Sequence, residues 1–269
     1  MKIYKMSPLT TRILSGLVYV ALFLGALLVS EYTFISLITL FGILAIYEFH
    51  KLIQFKNVIP YLLYVTLVGF VVYMPKSVVI IPLLALTLVA SIQLIYRLYS
   101  KTELQSSKYL EKLDISIRYI VFSFCFLILI PYENGVYNPY ILIDILLLIW
   151  VNDSFAFLVG KNFGKHKLFE SVSPKKTIEG FLGGLIFAVI AGIIISYNSG
   201  FYDLLDWIIV ALITSISGTI GDLVESKFKR QANVKDSGNI MPGHGGILDR
   251  LDSLIFAIPF LFLYLHFII

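Results

Sequence analysis

Long apolar runs separated by polar segments follow one another along the whole sequence. Because the hydrocarbon core of a bilayer requires about 20 apolar residues per helix, with a range of about 17–25, each run is a candidate membrane span. The connectors between the runs are brief except for residues 98–115, 160–177 and 222–250. We predict nine transmembrane helices, near residues 12–30, 33–50, 59–75, 77–97, 116–132, 138–159, 178–197, 204–221 and 251–269.

The composition supports a membrane protein and excludes an ordinary soluble domain. Hydrophobic residues make up 58% and charged residues 14% of the 269 residues, whereas soluble domains have roughly 45–50% and about 25%. The single cysteine, Cys125, excludes a disulfide framework within one chain. We therefore predict an all-α, polytopic protein with a single membrane domain over residues 1–269. Residues 1–120 would form its N-terminal spans, and residues 138–269 the spans that carry the polar motifs.

The basic residues predict an orientation, because Lys and Arg accumulate in cytoplasmic loops. With nine spans and a cytoplasmic N-terminus, all of the 21 Lys and Arg residues except Lys76 fall on the cytoplasmic side. A wrong number of spans would scramble this alternation. We predict a multi-pass protein of the cell (inner) membrane, with the N-terminus in the cytoplasm and the C-terminus outside.

Polar residues concentrate in three segments at the cytoplasmic ends of spans. In the first segment, Asn152 and Asp153 lie in the inner half of the sixth span. Because an unpaired carboxylate in that position costs several kcal/mol, such residues are usually functional and have a cationic partner. The structural alternative is a hydrogen bond or salt bridge between helices. Glu48, at the inner end of the second span, is interpreted as an interface residue, with a role in the site as the alternative.

The second segment precedes the seventh span. Ser173 followed by Pro174 is typical of a helix N-cap with proline at the first helical position. Lys175 and Lys176 would then lie in the first turn, where cations beside exposed N–H groups favour phosphate binding. Alternatively, these lysines hold the loop inside or contact lipid head groups. Small residues of the span itself are interpreted as sites of close helix contact: Gly180, Gly183 and Gly184.

The third segment, residues 221–253, is the richest in polar residues. Four of its side chains would share one face of a helix: Asp222, Glu225, Ser226 and Lys229. Asp249 and Asp252 would stand at the start of the last span. The loop before this span, residues 242–246, has three glycines, which let backbone N–H groups approach a ligand closely. Carboxylates, a glycine loop and clustered cations suit a divalent cation such as Mg²⁺ together with phosphate. No second histidine lies near His244, which argues against zinc.

Residues 226–252 resemble the signature of the phosphatidate cytidylyltransferases, the CDP-diacylglycerol synthase family. Met241 departs from the usual Leu, Ile or Phe but is also apolar. The segment 173–180, with Asp153, Gly164 and Lys165, resembles the same family, whereas the N-terminal half is similar only as a row of spans. The signature positions are Ser226, Phe228, Lys229, Arg230, Lys235, Asp236, Gly238, Met241, Pro242, His244, Gly245, Gly246, Ile247, Asp249, Arg250, Leu251 and Asp252.

The resemblance implies that CTP and phosphatidate react to give CDP-diacylglycerol and pyrophosphate. It also implies dependence on Mg²⁺, with a second cation such as K⁺ as a further feature of the family, and a homodimer in the lipid bilayer. We expect no nucleic-acid partner. Since the second pKa of a phosphate monoester is near 6, the phosphatidate oxygen is largely ionised at neutral pH and needs no strong general base.

These considerations assign roles to the polar residues. We expect Asp222 and Asp249 to bind the metal, with Asp153 and Asp252 as second candidates for a ligand or an orienting group. Phosphate would be bound by the cations Lys175, Lys176, Lys229, Arg230 and Arg250. The pocket would be completed by Ser173, Ser226, Lys235, Asp236, His244, Gly245 and Gly246.

Three other functions are compatible with a row of spans. A CTP-dependent kinase of a polyisoprenoid alcohol would need a base for its hydroxyl nucleophile and should not match the long signature. A transporter would have ionisable groups near the midplane of the membrane, whereas here they gather at one face. A structural scaffold would leave the clustered charges unexplained.

Overall fold

The computed structural model describes residues 8–74, 77–100, 102–104, 106–133 and 135–269, with side chains from residue 10 onward. Lys76 lies outside these ranges. Helices dominate the described part of the chain, as predicted for an all-α protein. They are α1 (Pro8–Val29), α2 (Glu31–Leu52), α3 (Ile59–Tyr73), α4 (Ile80–Tyr99), α5 (Tyr109–Ile115), α6 (Phe122–Leu129), α7 (Pro139–Phe163), α8 (Ile178–Ser199), α9 (Leu204–Gln231) and α10 (Leu248–Phe267).

The helices follow the predicted spans closely, with two extensions into polar sequence. The fifth span begins earlier than predicted, because α5, a π-helical segment (Ser116–Val121) and α6 run on from one another. An ion pair between Lys108 and Glu111, 3.2 Å long, joins charged residues of the added turns. The helix α9 continues past residue 221, the predicted end of its span, to Gln231. This extension carries part of the predicted site.

Six helices in the described part of the chain are long and apolar enough to cross a membrane: α1, α2, α4, α7, α8 and α9. The helix α3 is apolar but has only 15 residues. Many large apolar side chains of α1, α3 and α8 are exposed on the surface of the protein. Because water would not favour such a surface, it supports a lipid environment for these helices.

Two short antiparallel hairpins add a little β-structure to the helices. In the first, β1 (Tyr132–Glu133) pairs with β2 (Val136–Tyr137). In the second, β3 (Lys167–Phe169) pairs with β4 (Ser173–Thr177), with an irregularity in the register. The second hairpin lies between α7 and α8, at the end of the helices where the predicted site is located.

The prediction that Ser173 caps a helix, with Lys175 and Lys176 in its first turn, is wrong. Ser173 begins the strand β4, and α8 starts five residues later with Thr177 as its N-cap. The Thr177 hydroxyl accepts the Gly180 N–H at 3.1 Å, as an N-cap side chain does. Pairing with β3 provides partners for the backbone before the cap, so both lysines lie on a strand that leads into the helix.

Close helix contacts bring α7, α8, α9 and α10 together. A Cβ atom at Gly184 would lie 2.6 Å from the Asn152 carbonyl oxygen, and one at Gly180 would lie 2.7 Å from the Ala156 carbonyl oxygen. A Cβ at Gly183 would meet the side chain of Val159 at 2.6 Å. The prediction that these glycines mediate close helix contact is therefore confirmed.

The last helix, α10, lies at the centre of the described helices. It packs against α9 and also against α2, α4 and α6 from the first half of the chain. Its middle, from Leu254 to Leu261, is buried apart from Phe260. The position of its N-terminus therefore depends on helices that lie far away in the sequence, which matters for the site described next.

Candidate active site

The three polar segments meet on one side of the helix array. The Lys176 ammonium on β4 lies 2.6 Å from the Asp222 carboxylate on α9. Asp222 also accepts the Ser226 hydroxyl at 3.1 Å, one turn further along α9. Asp153, from α7, lines the same cavity as Lys176 and Asp222. The strand, the polar end of α9 and the inner half of α7 thus form one site.

This shared cavity, the Lys176 cavity, has a volume of ≈ 590 Å³. Its walls differ in character: cations and carboxylates form one part, and apolar side chains form another. Such a cavity can accept a ligand that joins an anionic group to an apolar body. Among its lining residues are Asp153, Phe157, Leu168, Lys175, Lys176, Phe181 and Asp222.

A second cavity, the Arg12 cavity, is ≈ 610 Å³ in volume and mostly polar. Three cations line it, one from α1 and two from the third polar segment: Arg12, Lys235 and Arg250. Asp236 and His244 complete its polar wall. Three positive charges around one open pocket suit a polyanion such as a triphosphate. The sequence predicts for Arg12 only a position on the cytoplasmic side, at the start of the first span.

A third and smaller cavity, the Tyr19 cavity, has a volume of ≈ 310 Å³ and lies between α1, α7 and α10. Its walls are mainly apolar, with Tyr19, Phe23 and Trp150 among them. Asp252 and Arg250 line its polar end, and Arg250 also lines the Arg12 cavity. The two cavities therefore share a cation.

A buried charged cluster joins α9 to α10. The Lys229 ammonium lies between two carboxylates, forming an ion pair with Glu225 and another, 2.7 Å long, with Asp249. Lys229 and Glu225 are both buried. Because buried charges are stable only when paired and hydrogen-bonded, Lys229 fixes Asp249. It is not available to a ligand in this arrangement, although the sequence predicted it as a phosphate ligand.

Asp249 is also the anchor of the glycine loop. Its Oδ2 atom accepts the Ser237 N–H at 2.8 Å, the Ser237 hydroxyl at 2.9 Å and the Gly246 N–H at 2.7 Å. A Cβ atom at Gly245, whose φ is +90°, would lie 2.5 Å from Oδ2. Glycine is therefore required at position 245 both by the backbone conformation and by the close approach of the carboxylate.

His244 is held by the first helix. Its Nδ1 atom lies 2.7 Å from the Ser15 hydroxyl, which also lies 2.9 Å from the Pro242 carbonyl oxygen. If Ser15 donates to Pro242, the Nδ1–H of His244 donates to Ser15 and leaves Nε2 free to accept. Burial lowers the pKa of His244, and the nearby guanidinium groups of Arg250 and Arg12 lower it further. The imidazole is thus neutral at pH 7.

Five predicted site residues line none of the three cavities: Ser173, Ser226, Lys229, Arg230 and Gly246. Ser173 is partly buried at the start of β4. Arg230 is exposed, and its guanidinium donates to the backbone carbonyls of Val172, at 3.4 Å, and Val234, at 3.2 Å. It ties the β3–β4 turn to the end of α9, which is a structural contact.

Sequence reasoning did not identify the part that Glu48 plays at this site. The Glu48 carboxylate, 1% exposed, accepts the backbone N–H groups of Ile247 at 3.2 Å and Leu248 at 2.8 Å. No local pattern could have predicted the partners, because they lie 199 and 200 residues away in the chain.

The two predicted metal ligands differ in how well they suit a hard divalent cation. In the described part of the chain, no group of three or more His, Cys, Asp or Glu residues is arranged to hold a metal. Mg²⁺, however, is often held by one or two carboxylates with the remaining ligands from water and substrate phosphates. Asp222 fits this role, because its carboxylate is partly exposed in the Lys176 cavity. In Asp249, Oδ2 is engaged by Ser237 and Gly246, so only Oδ1 could bind a metal. Lys229 must move to release Oδ1.

Known proteins were compared with this chain. A sequence profile of the cytidylyltransferase family matches residues 10–268. Three similar curated proteins share the name phosphatidate cytidylyltransferase. That of Staphylococcus haemolyticus is 35% identical over 93% of this chain and 96% of its own length. That of Staphylococcus aureus (strain COL) is 46% identical over 55% of each chain. That of Bacillus subtilis is 48% identical over 43% of this chain and 44% of its own length. In the S. aureus and B. subtilis alignments, the chain spans about half the length of the curated relative.

Proposed function

Because this chain belongs to the cytidylyltransferase family, we propose that it transfers the cytidylyl group of CTP to phosphatidate, giving CDP-diacylglycerol and pyrophosphate. The observation that carries this proposal is the Lys176 cavity, where the Lys176–Asp222 ion pair faces apolar side chains at the end of membrane helices. A suitable ligand has a phosphate group and an apolar body, as phosphatidate has. The curated relatives carry the matching name.

The Arg12 cavity provides the site that we assign to CTP. Its cations, from Arg12, Lys235 and Arg250, can neutralise a triphosphate, and its volume of ≈ 610 Å³ accommodates a nucleotide-sized ligand. Arg250 lies at the border of this cavity and the Tyr19 cavity. We assign to it the α-phosphate of CTP, where positive charge stabilises the transition state most.

The chemistry requires charge neutralisation and little proton transfer. An ionised oxygen of phosphatidate attacks the α-phosphorus of CTP, a new P–O–P bridge forms, and the bond to the β-phosphate breaks to release pyrophosphate. Since the attacking phosphate is already ionised at neutral pH, no residue has to remove a proton. With its Nδ1–H donating to Ser15, the neutral His244 at the edge of the Arg12 cavity can accept a hydrogen bond at Nε2 without adding charge.

We propose that Asp222 binds Mg²⁺ and that Asp249 contributes through Oδ1, as the sequence predicted. When bound, the cation supplies positive charge to the phosphoryl groups of the two substrates. Asp153 and Asp252 line the neighbouring cavities and would orient this centre. A second cation such as K⁺ stays a proposal that rests on the family resemblance alone.

The remaining site residues fall into two groups. Lys175 and Lys176 are our candidates for the phosphate of phosphatidate, because both line the Lys176 cavity. Lys229 and Arg230, which the sequence also predicts as phosphate ligands, engage protein groups instead, and we assign them positioning roles. We also assign positioning roles to Ser173, Ser226, Asp236, Gly245 and Gly246.

We further propose nine spans in the cell membrane, with the N-terminus in the cytoplasm. The alternation of basic residues supports this topology. The location of the substrates supports it as well, because CTP and the phosphatidate head group would then meet on the side where the polar segments lie. Tags at the two termini should be accessible from opposite sides of the membrane. Finding both on one side would refute the proposed number of spans. A homodimer is proposed from the family resemblance, and crosslinking in membranes tests it.

The proposed activity is tested with purified protein, CTP, Mg²⁺ and phosphatidate in mixed micelles. We expect pyrophosphate and CDP-diacylglycerol in equal amounts. Replacing phosphatidate by diacylglycerol or by a polyisoprenoid alcohol provides the control, because neither carries the attacking phosphate. Product formation from an alcohol and none from phosphatidate would favour a lipid kinase instead.

A further inference from the structure

A buried carboxylate from the first half of the chain lies against the residues that follow the glycine loop. Glu48 is in the last turns of α2, outside the segment that resembles the family signature. Its carboxylate accepts the N–H groups of Ile247 and Leu248, which are the first backbone donors of α10. Such donors have no partner within their own helix. The side chain therefore caps α10 from a different helix.

Glu48 is also linked to Asp249 by a shared hydroxyl. The Ser237 hydroxyl lies 3.3 Å from Glu48 Oε2 and 2.9 Å from Asp249 Oδ2. The hydroxyl has one hydrogen, so it can donate to only one of these carboxylates at a time. A displacement of Glu48 would therefore be transmitted to Asp249 through Ser237 as well as through the start of α10.

The loop is built around this carboxylate. A Cβ atom at Gly238 or at Gly246 would collide with the Glu48 side chain. Neither glycine has a backbone conformation that requires glycine, because their φ angles are not positive. The close approach of Glu48 therefore explains Gly238. At Gly246, Glu48 acts together with the Ser237 hydroxyl, which would collide with the same Cβ atom.

From this geometry we infer that Glu48 is a positioning residue, which holds the glycine loop and Asp249 in the arrangement that binds metal and nucleotide. The inference rests on the proposed function for its catalytic readout. It assigns to α2 a part in the reaction that a row of membrane spans would not suggest. Groups that orient metal ligands in this way change metal affinity or activity by about 10- to 100-fold when they are replaced.

The main test is Glu48→Gln, which keeps the size of the side chain but leaves one acceptor oxygen where there were two. We expect kcat/KM to fall about 10- to 100-fold and the half-saturating Mg²⁺ concentration to rise. The matched control is Glu31→Gln at the other end of α2, where the carboxylate accepts the Tyr132 hydroxyl at 3.1 Å. Glu31 lies outside the site, so its variant should retain wild-type kinetics.

A second variant approaches the contact from the loop. Gly238→Ala adds a methyl group that meets only Glu48 atoms among the nearest neighbours of that position. It should lower activity by itself. In the Glu48→Ala background the same change should cost nothing more, because the atoms it meets are gone. Such non-additivity is expected of residues in contact.

Hydrogen exchange provides a readout that does not depend on activity. In Glu48→Ala, the amides of Ile247 and Leu248 should exchange faster, whereas those in the middle of α10 should not. If wild-type protein forms no CDP-diacylglycerol, the proposed function fails, yet the exchange experiment still tests the contact. If wild-type protein is active and Glu48→Gln matches it in kcat/KM and Mg²⁺ demand, the inference is overturned. Additive effects of Glu48→Ala and Gly238→Ala would also overturn it.

Discussion

Removing the ion pair between Lys176 and Asp222 should have two opposite effects, one on the reaction rate and one on Mg²⁺ binding. In the absence of ligands, the lysine neutralises the carboxylate that we assign to the metal. With the metal bound, that ammonium is free to contact a substrate phosphate. Lys176→Met removes the ammonium and keeps a long side chain. The variant should therefore react more slowly and yet bind Mg²⁺ more readily.

The structure sets the size of both effects. A hydrogen bond to a charged group contributes about 1.5–3 kcal/mol, and about 1.4 kcal/mol corresponds to a factor of ten. We expect kcat/KM for phosphatidate to fall about 10- to 150-fold. The two side chains are 28% and 35% exposed, so water screens the ion pair and limits it to about 1 kcal/mol. The half-saturating Mg²⁺ concentration should therefore fall by no more than about fivefold.

Initial rates at varied phosphatidate and varied Mg²⁺ concentrations separate the two effects. Lys56→Met is the matched control, because Lys56 is exposed and lines none of the three cavities. It should behave like the wild type. A Lys176→Met enzyme within twofold of the wild type in kcat/KM would refute the phosphate contact. A rise in the Mg²⁺ requirement would refute the competition between lysine and metal.

Further variants test other parts of the site. Asp222→Asn should lower turnover by more than about 100-fold without affecting membrane insertion, and near-normal turnover would remove the metal assignment. Ser15→Ala removes a hydrogen bond of about 1 kcal/mol from the loop, so kcat/KM should fall roughly fivefold, whereas an unchanged rate would show that α1 does not hold the loop. Thr177→Val should lower the free energy of unfolding by about 1 kcal/mol, and Thr177→Ser should restore it in a denaturation experiment. The pKa of His244 is lower in the folded protein than its ordinary value of 6.5, so protonation favours the unfolded state and stability should decrease as the pH falls through that value. In His244→Asn this part of the acid-side decrease in melting temperature should disappear, and an unchanged pH profile would contradict the lowered pKa.

The helices could be predicted because their signals are local. Apolar runs of membrane length give the helices, and the spacing of Asp222, Ser226 and Lys229 correctly predicts one helical face beyond the apolar run. The predicted start of α8 is wrong because a local sequence signal is misleading. A Ser-Pro pair at 173–174 is a common N-cap signal, but the preceding strand pairs with this segment and Thr177 caps the helix instead.

The contacts that hold the loop could not be predicted, because they join distant parts of the chain. Ser15 lies 229 residues from His244, and no pattern in a single sequence links the two. Glu48 is similarly remote from its partners. Sequence reasoning also grouped Lys229 with the exposed cations, since charge alone does not distinguish a buried lysine between two carboxylates from one that faces a cavity.

The central claim is that the cytidylyl group, and not a terminal phosphate, passes from CTP to the lipid. The most direct measurement uses two batches of CTP, one labelled at the α-phosphate and one at the γ-phosphate, with purified protein, phosphatidate and Mg²⁺. Cytidylyl transfer predicts that the α-label enters the lipid fraction and that the γ-label appears only in pyrophosphate. Label from the γ-phosphate in the lipid, with the α-label remaining in CDP, would contradict the account.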